Sequence, residues 1–158
     1  KPGSKLLDVG SGAGFPGIPL KIMIQSLDVI LVDATRKKVS FLNHVIRRLR
    51  LSHITAIHSR IEDLQQEWED RFDVVVCRAF SNLADFVEKS LPLLAPGGLL
   101  LAFKGRELAT DMVQVSTKNG GEVFRVAGKS VDTELQMKWV SFKLPFLNLS
   151  RTLVMLTR

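Results

Sequence analysis

The chain has one cysteine, Cys77, in 158 residues. No internal disulfide can hold it, and a reducing, cytoplasmic setting is expected. It has no run close to the ~20 apolar residues that a membrane-spanning helix needs. It opens on Lys1-Pro2-Gly3 and passes directly into an apolar segment, so no secretory leader is expected. The histidines His44, His53 and His58 show no metal-ligand spacing, and with a single cysteine beside them no metal site is expected. Internal repeats and low-complexity segments are also lacking. Acidic residues are the minority charge: 22 Lys and Arg against 16 Asp and Glu leave a net +6. That balance favours a polyanionic partner and says nothing about the fold.

Apolar residues make up 46% of the chain, which is a globular composition. The length suits one domain over residues 1–158, and a monomer is the expected state. Strand-like and helix-like segments alternate. Strands are predicted at Leu6–Val9, Val29–Asp33, Ile54–Ile57, Phe72–Cys77 and Leu99–Phe103. Helices are predicted at Pro16–Ser26, Thr35–Leu49, Ile61–Trp68, Asn82–Leu94 and Glu107–Asn119. In the second helix Val39, Leu42, Val45, Ile46 and Leu49 recur at helical spacing behind Thr35 as N-cap. Pro96-Gly97-Gly98 stops the fourth helix and Gly120-Gly121 closes the fifth. Val123–Val126 and Leu153–Leu156 read as a closing antiparallel pair, with a mobile stretch over 128–150 between them. Repeated strand–helix units predict a mostly parallel, seven-stranded sheet with helices on both faces. In such a sheet a ligand binds beyond the carboxyl ends of the strands, where the strand order switches.

The most informative segment is Asp8-Val9-Gly10-Ser11-Gly12-Ala13-Gly14-Phe15-Pro16-Gly17. A buried strand leads into a glycine loop and then a helix. Glycines permit a tight turn and close approach of a ligand, and a helix start offers free N–H groups to an anion. Asp8, just before the turn, could accept hydrogen bonds from a bound amine or amide. Glycines at 10, 12 and 14 give D-x-G-x-G-x-G, not the G-x-G-x-x-G of dinucleotide sites. That pattern is similar to the first motif of class I methyltransferases. S-adenosylmethionine carries the carboxylate, ammonium and cation such a site would hold.

Other candidates sit at the strand ends. Asp33 ends the second strand, where an acidic group takes the ribose hydroxyls of an adenosine or else caps a helix. Ser59-Arg60-Ile61-Glu62-Asp63 follows the third; it could read an adenine edge, with Ile61 against the ring, or cap a short helix. Cys77 reads as a buried apolar residue. Arg78 leaves a buried strand and needs an acceptor: cofactor, substrate or neighbouring carboxylate. Lys104 faces the same cleft or is solvated. In the second helix Arg47, Arg48 and Arg50 complement the C-terminal dipole. Arg36, Lys37 and Lys38 lie at the N-terminus, where the dipole disfavours them, and suit RNA phosphates better. Trp68 and Trp139 read as packing residues.

Taken in order, the extended glycine segment through Ile18-Pro19-Leu20, Arg36-Lys37-Lys38 with Phe41-Leu42, Ser59-Arg60-Ile61-Glu62, Arg78-Ala79-Phe80, Lys104-Gly105 and Arg151-Thr152-Leu153-Val154 resemble the bacterial 16S rRNA guanine-N7 methyltransferase family, also called glucose-inhibited division protein B. The resemblance implies a Rossmann-like class I fold, S-adenosylmethionine as cofactor, and contacts to it from Gly10, Phe15, Ile61, Glu62 and Arg78. It implies as substrate a guanine in the 530 loop of 16S rRNA, free or in the small ribosomal subunit. Loss of the activity in that family goes with low-level streptomycin resistance. Two departures stand out. The family carries a helical segment ahead of the glycine-loop strand, which is expected to be missing here, and Cys77 stands where Ser is common.

With that acceptor, guanine N7 would take the methyl group from the sulfonium in one in-line displacement of the sulfur, and Arg78, Lys104 or Arg151 would donate to guanine O6. A class I methyltransferase for another RNA, a protein or a small molecule is the alternative. A non-catalytic RNA-binding module and a nicotinamide oxidoreductase are further from the glycine spacing.

Overall fold

The computed structural model describes residues 2–78, 82–105, 115–118, 121–127, 132–147 and 149–157. Its elements in order are β1 (Lys5–Val9), α1 (Gly17–Met23), β2 (Asp28–Asp33), α2 (Arg36–Arg48), β3 (Ile54–His58), β4 (Phe72–Arg78), α3 (Leu83–Ser90), β5 (Leu94–Lys104), β6 (Val115–Lys118), β7 (Gly121–Ala127), β8 (Asp132–Leu144) and β9 (Leu149–Thr157). All strands join one sheet in the order β3-β2-β1-β4-β5-β9-β8-β7-β6. The first five are parallel, and β9, β8, β7 and β6 follow antiparallel. The order reverses between β1 and β4, so the open crevice lies beyond the carboxyl ends of those two strands.

Two apolar cores cover the two faces. Ile18 of α1 and Val39, Leu42 and Ile46 of α2 pack on one face against Leu6, Val29, Leu31 and Val76. Leu83, Phe86 and Val87 of α3 pack on the other against Leu7, Val75, Leu100, Val154 and Leu156. The parallel strands are apolar nearly throughout because both of their faces are buried. Cys77 is buried, 1% exposed, as expected. Trp68 is buried and meets Phe72 edge-on at 5.6 Å, and Trp139 packs half-buried against the same core. Lys21 is buried too, its ammonium donating to the carbonyls of Gln25 and Leu27.

Several expectations are corrected. The helix predicted over Ile61–Trp68 is a single 3₁₀ turn at Glu62–Leu64; Ile61, Leu64 and Trp68 are buried without a longer helix. The helix ending at Leu94 stops at Ser90. A second 3₁₀ turn spans Leu91–Leu93, and Pro96-Gly97-Gly98 forms an excursion inside β5, between the pairs Phe72–Leu94 and Val74–Leu99. Thr35 occupies the N-cap of α2 but makes no side-chain cap bond; its N–H donates to Asp33 instead. Of the helix predicted over Glu107–Asn119, residues 107–114 and 119 lie outside the described residues, and Val115–Lys118 is a strand. The stretch over 128–150, read as mobile, is largely β8, held between β7 and β9. With β6 it extends the seven expected strands to nine.

The register of α2 is open to measurement. Leu42 is 0% exposed and its neighbour Phe41 is 50% exposed. Leu42→Ala is expected to cost ~2–5 kcal/mol of unfolding free energy, and Phe41→Ala within about 0.5 kcal/mol of zero. Chemical denaturation of both variants checks the pair.

Candidate functional site

The site is built where β1 and β2 run side by side, with Asp8 aligned to Leu31 and Val9 to Val32. Immediately after them the chain turns through Gly10, Gly12 and Gly14, all at positive φ (67°, 58° and 90°), a region that side chains with a Cβ avoid. The N–H groups of Gly10 and Ser11 donate to the Val32 carbonyl at 2.8 and 3.0 Å, and the Ser11 hydroxyl donates to the Asp8 carbonyl. Two carboxylates then grip the loop. Asp33 accepts from the Gly12 N–H at 3.0 Å and from the Thr35 N–H at 2.8 Å. Asp8 accepts from the Gly17 N–H, at the first residue of α1, at 2.8 Å. Gly17 has no room for a side chain: a Cβ there would strike Leu31 and the Asp8 carboxylate. At Gly10 the same atom would meet nothing within 4 Å, so this backbone lies open to a ligand.

The two carboxylates differ. Burial works against the charge of Asp33, but the Thr35 and Gly12 donors and the Lys38 ammonium at 3.6 Å outweigh it and hold its pKa below the ordinary value. Asp8 is 0% exposed. Burial pushes its carboxyl up from 3.8 to about 7, against the pull of the Gly17 N–H, the Arg78 charge and the Ser11 hydroxyl. Its Oδ1 is buried with no hydrogen-bond partner. A buried acceptor without a donor is costly, and a ligand ammonium or hydroxyl would satisfy it.

Two clefts open on either side of Gly10. The smaller, about 180 Å³, is lined by Val9, Val32, Asp33, Ala34, Ser59, Arg60, Ile61, Glu62 and Lys89. Its lining combines apolar Val9, Val32 and Ile61 with the carboxylates Asp33 and Glu62 and the cations Arg60 and Lys89. Glu62 is paired with Lys89 at 2.9 Å, and Lys89 also with Asp85 at 3.1 Å. The Lys89 hydrogen bond holds the Glu62 pKa below its ordinary value against partial desolvation. The lining suits an adenosine: apolar side chains for a ring and carboxylate acceptors for hydroxyls. The larger cleft, about 740 Å³, runs from Gly10 and Gly12 past Lys38 and Arg78 to Phe103, Lys104, Gly105, Phe142, Leu144 and Arg151.

Arg78, Lys104 and Arg151 thus meet in one cleft, brought there by neighbouring strands. Arg78 ends β4 and pairs in register with Phe103, Lys104 ends β5, and Thr152, next to Arg151, pairs with Lys104. Arg78 is exposed, and its guanidinium lies over the Phe15 ring at 5.5 Å. Lys104 is 8% exposed, so it is not the solvated lysine of the alternative reading. Arg151 donates to the Ser150 carbonyl. Arg36, Lys37 and Lys38 are all exposed on the first turn of α2, and Lys38 is the one that lines the cleft. Ala79, Phe80 and Arg106 lie outside the described residues. No group of residues able to hold a metal ion occurs among the described residues, and no helix is long and apolar enough to cross a membrane.

Sequence reasoning missed Lys89, Phe103, Phe142 and Leu144. Lys89 sits on α3, far from the loop in sequence, and nothing local signals its pairing with Glu62. Phe142 and Leu144 lie on β8. Its buried Leu135 and Met137 alternate with exposed Glu134, Gln136 and Lys138, the period-two pattern of a half-buried strand.

The family described as GidB, rRNA small subunit methyltransferase G, matches residues 1–138. A ribosomal RNA small subunit methyltransferase G of Geobacter sp. (strain M21) is 48% identical over 108 residues, covering 68% of this chain and 50% of that protein. One of Lachnoclostridium phytofermentans is 38% identical over 156 residues, covering 98% of this chain and 60% of that protein. The chain therefore spans about half to three-fifths of the length of these relatives. Among solved structures, an Agrobacterium tumefaciens protein described as a predicted O-methyltransferase superposes with a TM-score of 0.71 at 13% identity, over 98% of this chain and 73% of that one. TYW2 of M. jannaschii in complex with AdoMet gives 0.66 at 13% identity, over 99% and 69%. At these identities the structures establish the fold.

The buried Asp8 carboxyl has a measurable consequence. The folded protein holds its proton up to about pH 7, whereas an unstructured aspartate releases it near 3.8. Between those values the folded state binds more protons, so stability falls as pH rises through that window and is level above it. A shift of this size corresponds to a fall on the order of 4 kcal/mol. Asp8→Asn cannot ionise, and the part of the fall due to residue 8 is expected to vanish. Chemical unfolding of both proteins at about pH 4 and about pH 8 compares them; an equal fall in the variant would remove Asp8 as its source.

Proposed function

This chain belongs to the rRNA small subunit methyltransferase G family, and on that premise we propose that it transfers a methyl group from S-adenosylmethionine to N7 of a guanine in the 530 loop of 16S rRNA. The observation that carries this reading is the division of charge about Gly10. In the smaller cleft Asp33 and Glu62 are balanced by Arg60 and Lys89 beside apolar side chains, whereas Lys38, Arg78, Lys104 and Arg151 line the larger with no acidic residue among the described residues there. The first suits a nucleoside cofactor, the second a polyanion.

When bound, S-adenosylmethionine would supply a methyl group on a sulfonium, open to in-line attack by a lone pair at the methyl carbon with the neutral thioether as leaving group. On the protein side, Gly10, Gly12 and Gly14 let the backbone come close, and the orphaned Asp8 oxygen takes the ammonium. Asp33 holds the ribose hydroxyls with the lone pairs left over from Gly12 and Thr35. Ile61 packs on the adenine ring and Glu62 flanks it, while Phe15 and Arg78, stacked on one another, contact the cofactor elsewhere. Guanine N7 carries a free lone pair, so no side chain has to remove a proton first. The protein contributes placement and water exclusion, which can be worth ~7–11 kcal/mol.

Guanine offers O6 and N7 as acceptors on one edge. N7 is the reacting atom, so a donor takes O6 alone, and Arg78, Lys104 and Arg151, which line one cleft, are the candidates for it. Arg36, Lys37 and Lys38 hold phosphates of the flanking strand. A guanine in a structured loop is splayed out to reach the cleft.

The test is transfer of labelled methyl from S-adenosylmethionine to small ribosomal subunits and to naked 16S rRNA lacking the modification, mapped by N7-specific strand cleavage. Label at one guanine of the 530 loop is the expected result. Label on another RNA, a protein or a small molecule would move the assignment to that acceptor. In the same assay Arg151→Ala is expected to lose about 10-fold or more in kcat/KM, the weight of one charged hydrogen bond in the transition state. A wild-type rate removes Arg151 from the site.

A further inference from the structure

The larger cleft contains one feature that methyl transfer does not require. Phe142, on β8, is 39% exposed and belongs to neither apolar core. It pairs in register with Arg151 across β8 and β9, so the two side chains share one face of the sheet and both line the cleft. The buried Leu135 and Met137 lie on the opposite face of the same strand. Phe142 is therefore not turned outward by a slip in register: the strand buries its alternate positions and presents this one.

The other aromatic rings described near the site are differently placed. Phe15 carries the Arg78 guanidinium at 5.5 Å and lines neither cleft. Phe103 is half-buried against the α1 and α2 core. Phe41 and Phe146 are exposed but line neither cleft. Among the described residues lining the cleft, Phe142 is the exposed ring outside both apolar cores, and Lys38, Arg78, Lys104 and Arg151 stand around the same opening. A stacking face inside a ring of cations is the pairing that binds single-stranded nucleic acid: charges take the phosphates and the ring takes a base.

We propose that Phe142 is a substrate-positioning residue that stacks on a nucleobase of the single-stranded RNA entering the larger cleft, with Arg151 beside it on the neighbouring strand. The inference rests on the RNA reading above and names how that RNA is held. It makes the β8–β9 hairpin an RNA-reading element.

The test uses a labelled, short, unstructured RNA oligonucleotide of mixed sequence, with its affinity followed by anisotropy across a salt series. S-adenosylmethionine affinity and methyl transfer to small-subunit rRNA are measured separately. Phe142→Ala is expected to weaken RNA binding about 10-fold to 100-fold, as loss of one base–aromatic stack does. The slope of affinity against salt should not change, because no phosphate contact is removed. Cofactor affinity should hold, and Phe142→Tyr should restore RNA binding to within about 3-fold of wild type, since any aromatic ring stacks. The proposal is overturned if Phe142→Ala binds RNA like wild type, if Phe142→Tyr is as weak as Phe142→Ala, or if cofactor affinity falls in step. The two readings fail separately. Wild-type protein that binds RNA through Phe142 yet labels no rRNA keeps the stack and loses the transfer. Wild-type protein that labels the 530 loop while Phe142→Ala binds RNA equally well keeps the transfer and loses the stack.

Discussion

Two buried carboxylates on adjacent parallel strands hold the glycine loop, and the site depends on that grip. Asp8 at β1 reaches forward to the Gly17 N–H, and Asp33 at the end of β2 takes the Gly12 N–H. A loop with three residues at positive φ has few side chains to pack and much conformational freedom to lose. The two carboxylates, with the Val32 carbonyl, replace the missing packing with hydrogen bonds. The sheet register sets β1 and β2 side by side, so the loop inherits its position from the pairing of Val9 with Val32.

The grip is uneven, and the unevenness bears on function. Asp33 is satisfied from several sides and ionises readily, whereas Asp8 is buried with one oxygen unmet. Left alone, that oxygen costs the folded state. Such a cost persists where a ligand can relieve it, because binding then recovers free energy that folding left unspent. The same loop separates a charge-balanced cleft, where Asp33 and Glu62 face Arg60 and Lys89, from one whose described charged residues are all basic, so a nucleoside and a polyanion can be held in reach of each other on either side of Gly10.

Much of the architecture was legible because it rests on local signals. The apolar runs at Leu6–Val9, Val29–Asp33 and Phe72–Cys77 are strands because strands buried on both faces admit little else. Leu42 and Ile46 lie on the buried side of α2, as their spacing requires. Other parts were misread where local preference was overruled. Ile61, Leu64 and Trp68 suggested a helix, yet one 3₁₀ turn buries all three. The stretch over 128–150 reads as mobile, and Asp132–Leu144 within it is β8. It is a strand with one face solvated, and antiparallel neighbours satisfy its backbone.

By itself the sequence determined the alternation of strands and helices, the glycine turn, the carboxylates at the ends of β1 and β2, and the family to which they point. These are properties of neighbouring residues, set by periodicity and backbone preference. Only the tertiary structure decided that Arg78, Lys104 and Arg151 share a cleft with Lys38 and Phe142, and that Lys89 pairs with Glu62. Those meetings depend on which strands lie side by side and in what register. That is settled by burial of both sheet faces at once, and no single segment encodes it.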